Sequence, residues 1–316
     1  MKICFIGIGS IACRHIKNMH LICEINKIPL TIDVVRSSNR ELPQEIVQYI
    51  RDVYFNYYDM PNDYDVIFIT NPTMLHIDTL DKVIDKADNF FVEKPVDSIA
   101  NIKSIAFNKY ETGKIIYVAC PLRYTDVLRY LKSNIDVSLV RSVRVISSSY
   151  LPDWRPDVDY RKTYSAHKHL GGGVSIDLIH EWDYIKFIFG KPLSIKSIIS
   201  KKSLLEIDSD DIAVYIAEYP SMLLELHLDY FGKNSVRQLE IITDEDRIIA
   251  DLIKSSIIYT GSGKVIDFNE SRDQYQIKEL EYFLKIIIGK ADNTNDLAIA
   301  CDTLLLSQGD IGGCMQ

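Results

Sequence analysis

Several short stretches of this sequence combine residue types and spacings that can do chemistry. The first, Gly7-Ile8-Gly9-Ser10-Ile11-Ala12, follows a compact apolar run and opens a helical one. Gly7 permits a tight turn, Gly9 lets the backbone approach a pyrophosphate, and Ala12 keeps the helix close to its strand. Ser10 and Ile11 begin that helix, whose N-terminus favours an anion. A second apolar run, Leu30–Val35, exits into Arg36-Ser37-Ser38-Asn39-Arg40. An acid at that exit reads the ribose hydroxyls of NAD, whereas Arg beside small polar residues accommodates the 2′-phosphate of NADP. Asp33 falls at a strand-interior position, so Arg36 and Ser37 are placed at the ribose, and NADP is expected in preference to NAD. The plainer reading of Arg36 is a solvated loop charge. Asn71-Pro72-Thr73 with His76 follows the run Asp65–Thr70, at the strand end where the nicotinamide half of a dinucleotide passes. As an ordinary strand-to-helix loop, the same turn would need Thr73 only as an N-cap. Glu93-Lys94-Pro95 follows Phe90-Phe91-Val92. A Lys at a strand end beside a cofactor has its pKa lowered by desolvation and nearby positive charge, and can exchange a proton with a substrate hydroxyl. Taken alone, this triplet reads as a surface turn.

In the second half, Gly171-Gly172-Gly173 cannot be a helix interior and makes a flexible or tightly bent start to one. Asp177, His180 and Glu181 follow as titratable groups one turn apart, where spacings of three and four residues share a helix face. The alternative is a capping Asp and a satisfied core His. Upstream, Trp154, Arg155, Tyr160, Arg161 and Tyr164 form a dense group suited to hydroxyls, carboxylates or phosphates. Arg123 either faces substrate or pairs across a domain interface. His167 and His169 flank Lys168 without a partner spacing and read as solvated, so no metal site is expected. No Ser-His-Asp arrangement has support either.

The elements that position these residues change rhythm near residue 120. Before it, the apolar runs Lys2–Ile6, Leu30–Val35, Asp65–Thr70, Asn89–Val92 and Ile115–Ala119 alternate with helical patterns at Leu75–Lys86 and Ile99–Tyr110, the latter capped by Asp97 or Ser98. Continuous apolar strands between amphipathic helices mean a parallel sheet covered on both faces. After it come a helix at Thr125–Asn134, a strand at Val140–Tyr150, a helix starting near Gly173, and a β meander from Ser194. In the meander, Leu224, Leu226, Leu228 and Tyr230 alternate with Glu225, His227 and Asp229. Helices at Tyr275–Ile288 and Asp296–Ser307 close the chain. The expected fold is α/β: a Rossmann domain over 1–120, then an α+β domain over 121–316 with a large, mainly antiparallel open sheet. The last helix can pack back on the first domain.

The combination of strand-GIGSIA-helix, TNPTMLH after a strand, and FVEKP resembles the Gfo/Idh/MocA family of glucose–fructose and inositol-type oxidoreductases. The segment Leu170–Asp183 carries a family-like signature as well, so the resemblance extends over essentially the whole chain. It implies hydride transfer between a nicotinamide and a carbinol or carbonyl carbon, with Lys94 matching the family's catalytic Lys and Asp177 its substrate-site Asp. The family places its His four residues after that Asp. Here His180 is three residues on and Glu181 occupies the fourth position, which leaves open which of the two takes the role. The wording of Leu151–Ala166 and DLIHEWDY is similar to a branch associated with surface-polysaccharide and sialic-acid-like sugar biosynthesis.

Bulk composition is consistent with this. At 316 residues, 47% hydrophobic and 25% charged, the chain is a folded protein of about two domains. A formal net charge of −8 argues against nucleic acid or an anionic membrane as partner. No run approaches the roughly 18 apolar residues of a membrane span, and the N-terminus lacks a signal-peptide pattern. The six cysteines are scattered, as free thiols in a reducing cytoplasm would be. A sugar or nucleotide sugar is the expected substrate, with Lys94 and His180 handling the hydroxyl proton and Asp177 orienting it in a cleft between domains. The apolar stripe of Leu224, Leu226 and Leu228 suggests a homodimer or homotetramer, unless the domain's own helices cover it. Two other functions compete: a non-catalytic cofactor or sugar sensor on the same fold, and a reductase of an imine or tetrapyrrole.

Overall fold

The computed structural model describes residues 1–102, 105, 107–110 and 113–312. The chain divides into two compact units, Met1–Cys120 with Gln276–Cys301, and Pro121–Tyr275 with residues 302–312.

In the first unit, β1 (Lys2–Ile6), β2 (Thr31–Val35), β3 (Ile50–Tyr54), β4 (Tyr64–Ile69), β5 (Ala87–Val92) and β6 (Ile115–Val118) form one sheet in the order β3-β2-β1-β4-β5-β6. Every pairing is parallel, with Phe5 opposite both Val34 and Phe68. Ile3, Cys4 and Phe5 are fully buried, as are Val66 through Ile69, which is why these runs read as unbroken apolar stretches. The helices are α1 (Ser10–Ile25), α2 (Gln44–Val47), α3 (His76–Val83) and α4 (Ile99–Ile102). Two elements gave no sequence signal. β3 has the exposed interior Arg51-Asp52-Val53 and exists because it pairs along β2, and α2 is a single turn. The helix expected over Leu75–Lys86 is α only from His76 to Val83, with a 3-10 turn at each end. Of Ile99–Tyr110, α4 and a 3-10 turn at Phe107–Tyr110 are helical, and residues 103, 104 and 106 lie outside the described residues.

The second unit holds α5 (Asp126–Asn134), β7 (Val140–Tyr150), α6 (Val174–Asp177), α7 (His180–Phe189), β8 (Ser194–Ser200), β9 (Ile212–Glu218), β10 (Leu223–Asp229), β11 (Phe231–Thr243), β12 (Arg247–Asp251), β13 (Ser256–Tyr259) and β14 (Val265–Asp267). Its sheet runs β14-β13-β12-β11-β7-β10-β9-β8, antiparallel throughout except for the parallel β7–β10 pair. One face is the core: Leu224, Leu226 and Leu228 are fully buried in a cluster with Trp182, Ile185 and Ile188 of α7. Trp182 meets Tyr215 edge-on at 5.3 Å. The Leu stripe is therefore covered by the unit's own helix and is not a free association surface. Period-2 alternation marks which residues share a face but not which face is covered.

The chain closes with α8 (Arg272–Ile287) and α9 (Leu297–Leu306). From Gln276 to Cys301 it belongs to the first unit. There Phe283 packs edge-on against Phe68 and Phe91, and the buried Glu279 carboxylate accepts from the Cys120 N–H at 2.5 Å and the Tyr117 hydroxyl at 3.1 Å. Cys4, Cys13, Cys23, Cys120 and Cys301 are buried, and Cys314 lies outside the described residues. Among the described residues, no helix is long and apolar enough to cross a membrane.

Candidate functional site

In the first unit the chemistry-bearing turns gather at the carboxyl ends of β1, β4 and β5, which are neighbours in the sheet. Gly7 has φ +89°, and a Cβ there would lie 2.6 Å from the Asn71 Cα. The glycine is thus required twice, for the turn and for the close approach of the β4 loop. Thr70 stitches the same ends, its hydroxyl donating to the carbonyls of Ile6 at 3.0 Å and Gly7 at 2.7 Å. Gly9 precedes α1 in extended conformation with no side-chain cap, and the space where its Cβ would stand is open. An uncapped N-terminus of a sixteen-residue helix beneath open space fits a pyrophosphate. Ser10 is exposed, Ile11 half-buried and Ala12 buried against the sheet.

Asp33 is removed from any ribose role. It is fully buried and accepts from Arg51 at 2.6 Å and from the Tyr64 hydroxyl at 2.7 Å. Arg36 leaves the end of β2 half-exposed, its guanidinium held by the Ser38 hydroxyl and the Arg40 carbonyl, and Ser37 is exposed beside it. The Asn71 amide donates to Thr79 at 2.7 Å, while its buried Oδ1 has no partner among the described residues. Pro72 precedes the 3-10 turn Thr73–Leu75, and Thr73 makes no side-chain cap. The α3 N-terminus is served from elsewhere: the buried Asp97 accepts the Ile77 N–H at 2.9 Å.

His76 was expected near the cofactor. The structure buries it, with Nδ1 2.9 Å from the Pro95 carbonyl and Nε2 2.9 Å from the Asn71 carbonyl. Both ring nitrogens face protein carbonyls, so His76 braces the two loops rather than presenting a nitrogen to a ligand. Burial holds its pKa below the usual histidine value, against those two carbonyls. Glu93 is the other internal brace. Its carboxylate meets His15 Nε2 at 2.6 Å and accepts the Lys94 N–H at 3.2 Å. Burial would raise the Glu93 pKa, but the His15 hydrogen bond and the charges of His15 and Lys94 hold it below the ordinary range. Glu93 thus stays ionised behind Lys94 and fixes the backbone that carries it. The Lys94–Pro95 peptide is cis.

The second unit holds its own cluster around Asp177. Gly173 has φ +135°, and a Cβ there would stand 2.3 Å from Asp210 Oδ1. Asp210 accepts the Val174 and Ser175 N–H groups at 2.9 Å each, through its backbone and side-chain oxygens, and so seats the first turn of α6. Gly172 is equally constrained, since its Cβ would lie 2.0 Å from the Tyr164 carbonyl. The glycine run is a tightly bent start rather than a flexible one. The expected single helix is two, broken at Leu178–Ile179, with Asp177 ending α6 and His180 opening α7.

Asp177 is buried and accepts from the Tyr230 hydroxyl at 2.5 Å. Burial and the Asp177 charge push the Tyr230 phenol well up. Tyr164, whose side chain is exposed in part, is raised by the same two causes. Trp154 meets Tyr230 edge-on at 5.3 Å and donates to Ser149 at 2.9 Å, leaving its ring 39% exposed. Tyr230 and Asp210 were not singled out from sequence, because one ends an alternating strand and the other sits in an acidic turn.

Glu181 does not share the cluster. It is fully buried and pairs with Arg237 at 2.7 Å, whereas His180 is half-exposed. Arg123 likewise does not face substrate. It is buried and grips Asp183 of α7 through two bonds, at 2.9 and 2.6 Å, within the same unit. A bidentate, desolvated pair of this kind is structural, and it explains why an Arg just past β6 looked functional. Arg155 is exposed on the loop, and the Tyr160 hydroxyl accepts the Glu206 N–H at 3.2 Å.

The Gfo/Idh/MocA family, an oxidoreductase family with an NAD-binding Rossmann fold, matches residues 1–120. The chain is 24% identical over 192 residues to the uncharacterized oxidoreductase YrbE of Bacillus subtilis (strain 168), and 23% identical over 193 residues to scyllo-inositol 2-dehydrogenase (NAD(+)) of the same organism. Each match takes in 60% of this chain and 54% of the relative, so the chain spans about half the length of these curated relatives. A levoglucosan dehydrogenase in complex with NADH shares the fold, with a TM-score of 0.83 at 14% identity over 98% of this chain and 96% of that one.

Proposed function

We propose that this protein is a member of the Gfo/Idh/MocA family and an NAD(P)-dependent dehydrogenase or reductase acting on a carbinol or carbonyl carbon of a sugar or sugar derivative. The observation that carries the reading is the grouping of Gly7, Asn71 and Lys94 at the carboxyl ends of three adjacent parallel strands, where open α/β sheets bind ligands. When bound, the nicotinamide supplies or accepts the hydride. Gly7, Gly9, Ser10, Ile11 and Ala12 hold the pyrophosphate, while Asn71, Pro72, Glu93 and Lys94 line the nicotinamide end. Lys94 and His180 exchange the hydroxyl proton, and Asp177, held by Tyr230, orients the substrate. Trp154, Arg155, Tyr160 and Tyr164 form a half-open aromatic and cationic loop suited to a polyhydroxylated ring, and the match of Leu151–Ala166 supports a place in surface-polysaccharide biosynthesis.

We further assign NADP as the preferred cofactor. Asp33 is unavailable, and the loop leaving β2 presents Arg36, Ser37, Ser38, Asn39 and Arg40 with no acid among them. A homodimer or homotetramer is supported by the outer face of the second sheet. There Ile198, Ile216 and Ile258 are exposed beside the half-buried Ile146 and Val214, opposite the covered Leu stripe. A cytoplasmic location fits the buried thiols of Cys4, Cys13 and Cys23.

The test is turnover with both cofactors against a panel of polyols, sugars and nucleotide sugars. Lys94→Ala should lower kcat by at least about 100-fold, the scale of a lost general acid–base group, while cofactor affinity stays within a fewfold. Cofactor binding without turnover on any substrate in the wild type would favour the sensor reading instead.

A further inference from the structure

His167, His169 and Asp208 play no part in the dehydrogenase reading, yet the second unit brings them together. One donor atom from each lies within 4.8 Å of the other two. His167 Nδ1 stands 3.5 Å from Asp208 Oδ2, and the two imidazole rings have centroids 5.5 Å apart. Sequence spacing hid the group, because the His-Lys-His triplet lies in the loop after β7 while Asp208 precedes β9.

We propose that His167, His169 and Asp208 form a site for a divalent transition metal of the zinc class. Two imidazoles and a carboxylate are a donor set that zinc accepts, with a fourth position for water or another ligand. Bonds of about 2.0–2.2 Å in tetrahedral geometry put neighbouring donors about 3.3–3.5 Å apart. The His167–Asp208 pair already has that separation, and the widest pair must close by about 1.3 Å from 4.8 Å. His169 and Asp208 are exposed and His167 is half-buried, so rotation about the side-chain bonds provides the movement.

The surrounding backbone prepares the carboxylate for this role. Asp208 Oδ1 accepts the Lys168 N–H at 2.6 Å, and the Asp208 N–H donates to the Ala166 carbonyl at 3.0 Å. Oδ1 is thereby occupied and Oδ2 is turned toward the imidazoles. The His167 carbonyl in turn accepts the N–H groups of Leu170 at 3.1 Å and Gly172 at 3.0 Å, which fixes the turn carrying both histidines. Hydrogen bonds that orient first-contact ligands in this way are the usual support of a metal site.

The location gives the metal a consequence. Asp210, two residues after Asp208, seats the first turn of α6 and hence Asp177. A bound metal fastens the loop bearing Trp154 and Tyr164 to the segment that positions Asp177.

The test is calorimetric titration of the metal-stripped full-length protein with Zn2+, with His169→Ala, Asp208→Asn and Cys314→Ser alongside. One equivalent per chain should bind to the wild type and to Cys314→Ser, with affinity at least tenfold weaker in His169→Ala and Asp208→Asn. Cobalt(II) provides a second readout: the wild type should show the visible absorption of a four-coordinate nitrogen–oxygen site, lost in His169→Ala. Absence of zinc binding, or binding unchanged in His169→Ala and Asp208→Asn, would overturn the proposal.

Discussion

Single side chains show where residue type was a sufficient guide and where it was not. For Lys94, Asp177 and His180 the motifs name roles that remain proposals. Arg123 and His76 were misplaced because a sequence shows a side chain's chemistry and not its partner. Asp183 sequesters the first, and two carbonyls engage the second. Glu181 carries the same lesson: a carboxylate at the family's His spacing is buried against Arg237. Lys186, on the same helix as Asp183, offers a quantitative check. Burial lowers its pKa to about 8, the Asp183 charge opposing that shift and the Arg123 charge adding to it. Between about pH 8 and 10.5 the unfolded chain keeps a proton that the folded chain has released, so Lys186 favours folding increasingly as pH rises through that window. Urea unfolding of wild type and Lys186→Met should therefore show a stability difference that moves toward the wild type by roughly 1–3 kcal/mol across the window. A difference flat with pH would contradict the assignment.

Elements were legible in proportion to how much of them is buried. β1, β4 and β5 each carry an unbroken buried apolar run, Ile3–Ile6, Val66–Ile69 and Phe90–Val92, and their positions in the sequence match the structure to within two residues. β3 was invisible because an edge strand with an exposed interior carries no apolar pattern and is made by its neighbour. The break between α6 and α7 was also hidden, since no Pro or Gly marks it and both halves keep helical spacing. At the start of α6, Gly173→Ala would place a methyl group on Asp210 in a backbone conformation that L residues rarely adopt. We expect a loss of about 1–3 kcal/mol in stability with a fall in kcat, because Asp177 shifts with its turn. Thermal unfolding with parallel turnover checks this, and an Ala variant with wild-type kcat would detach α6 geometry from catalysis.

Across the whole molecule, the two-part architecture could be read from the change of rhythm near residue 120. The reach of Gln276–Cys301 into the first unit had only the weak signal of a terminal helical pair. The covered face of the second sheet could not be read at all, since Leu224, Leu226 and Leu228 alternate regularly whether they meet a helix or a second subunit. The oligomer reading now rests on the opposite face, and Ile216→Asp should shift sedimentation toward the monomer. An unchanged sedimentation coefficient would move the interface elsewhere.

The central claim is that the turns at the ends of β1, β4 and β5 form a nicotinamide dinucleotide site. Fluorescence titration with NADPH and NADH in parallel, on wild type and Arg36→Ala, tests it most directly. The account predicts saturable binding of both, tighter for NADPH, with that preference lost in Arg36→Ala. Preference for NADH unaffected by the substitution would remove Arg36 from cofactor selection while leaving the site in place. Binding of neither nucleotide would contradict the dehydrogenase reading itself.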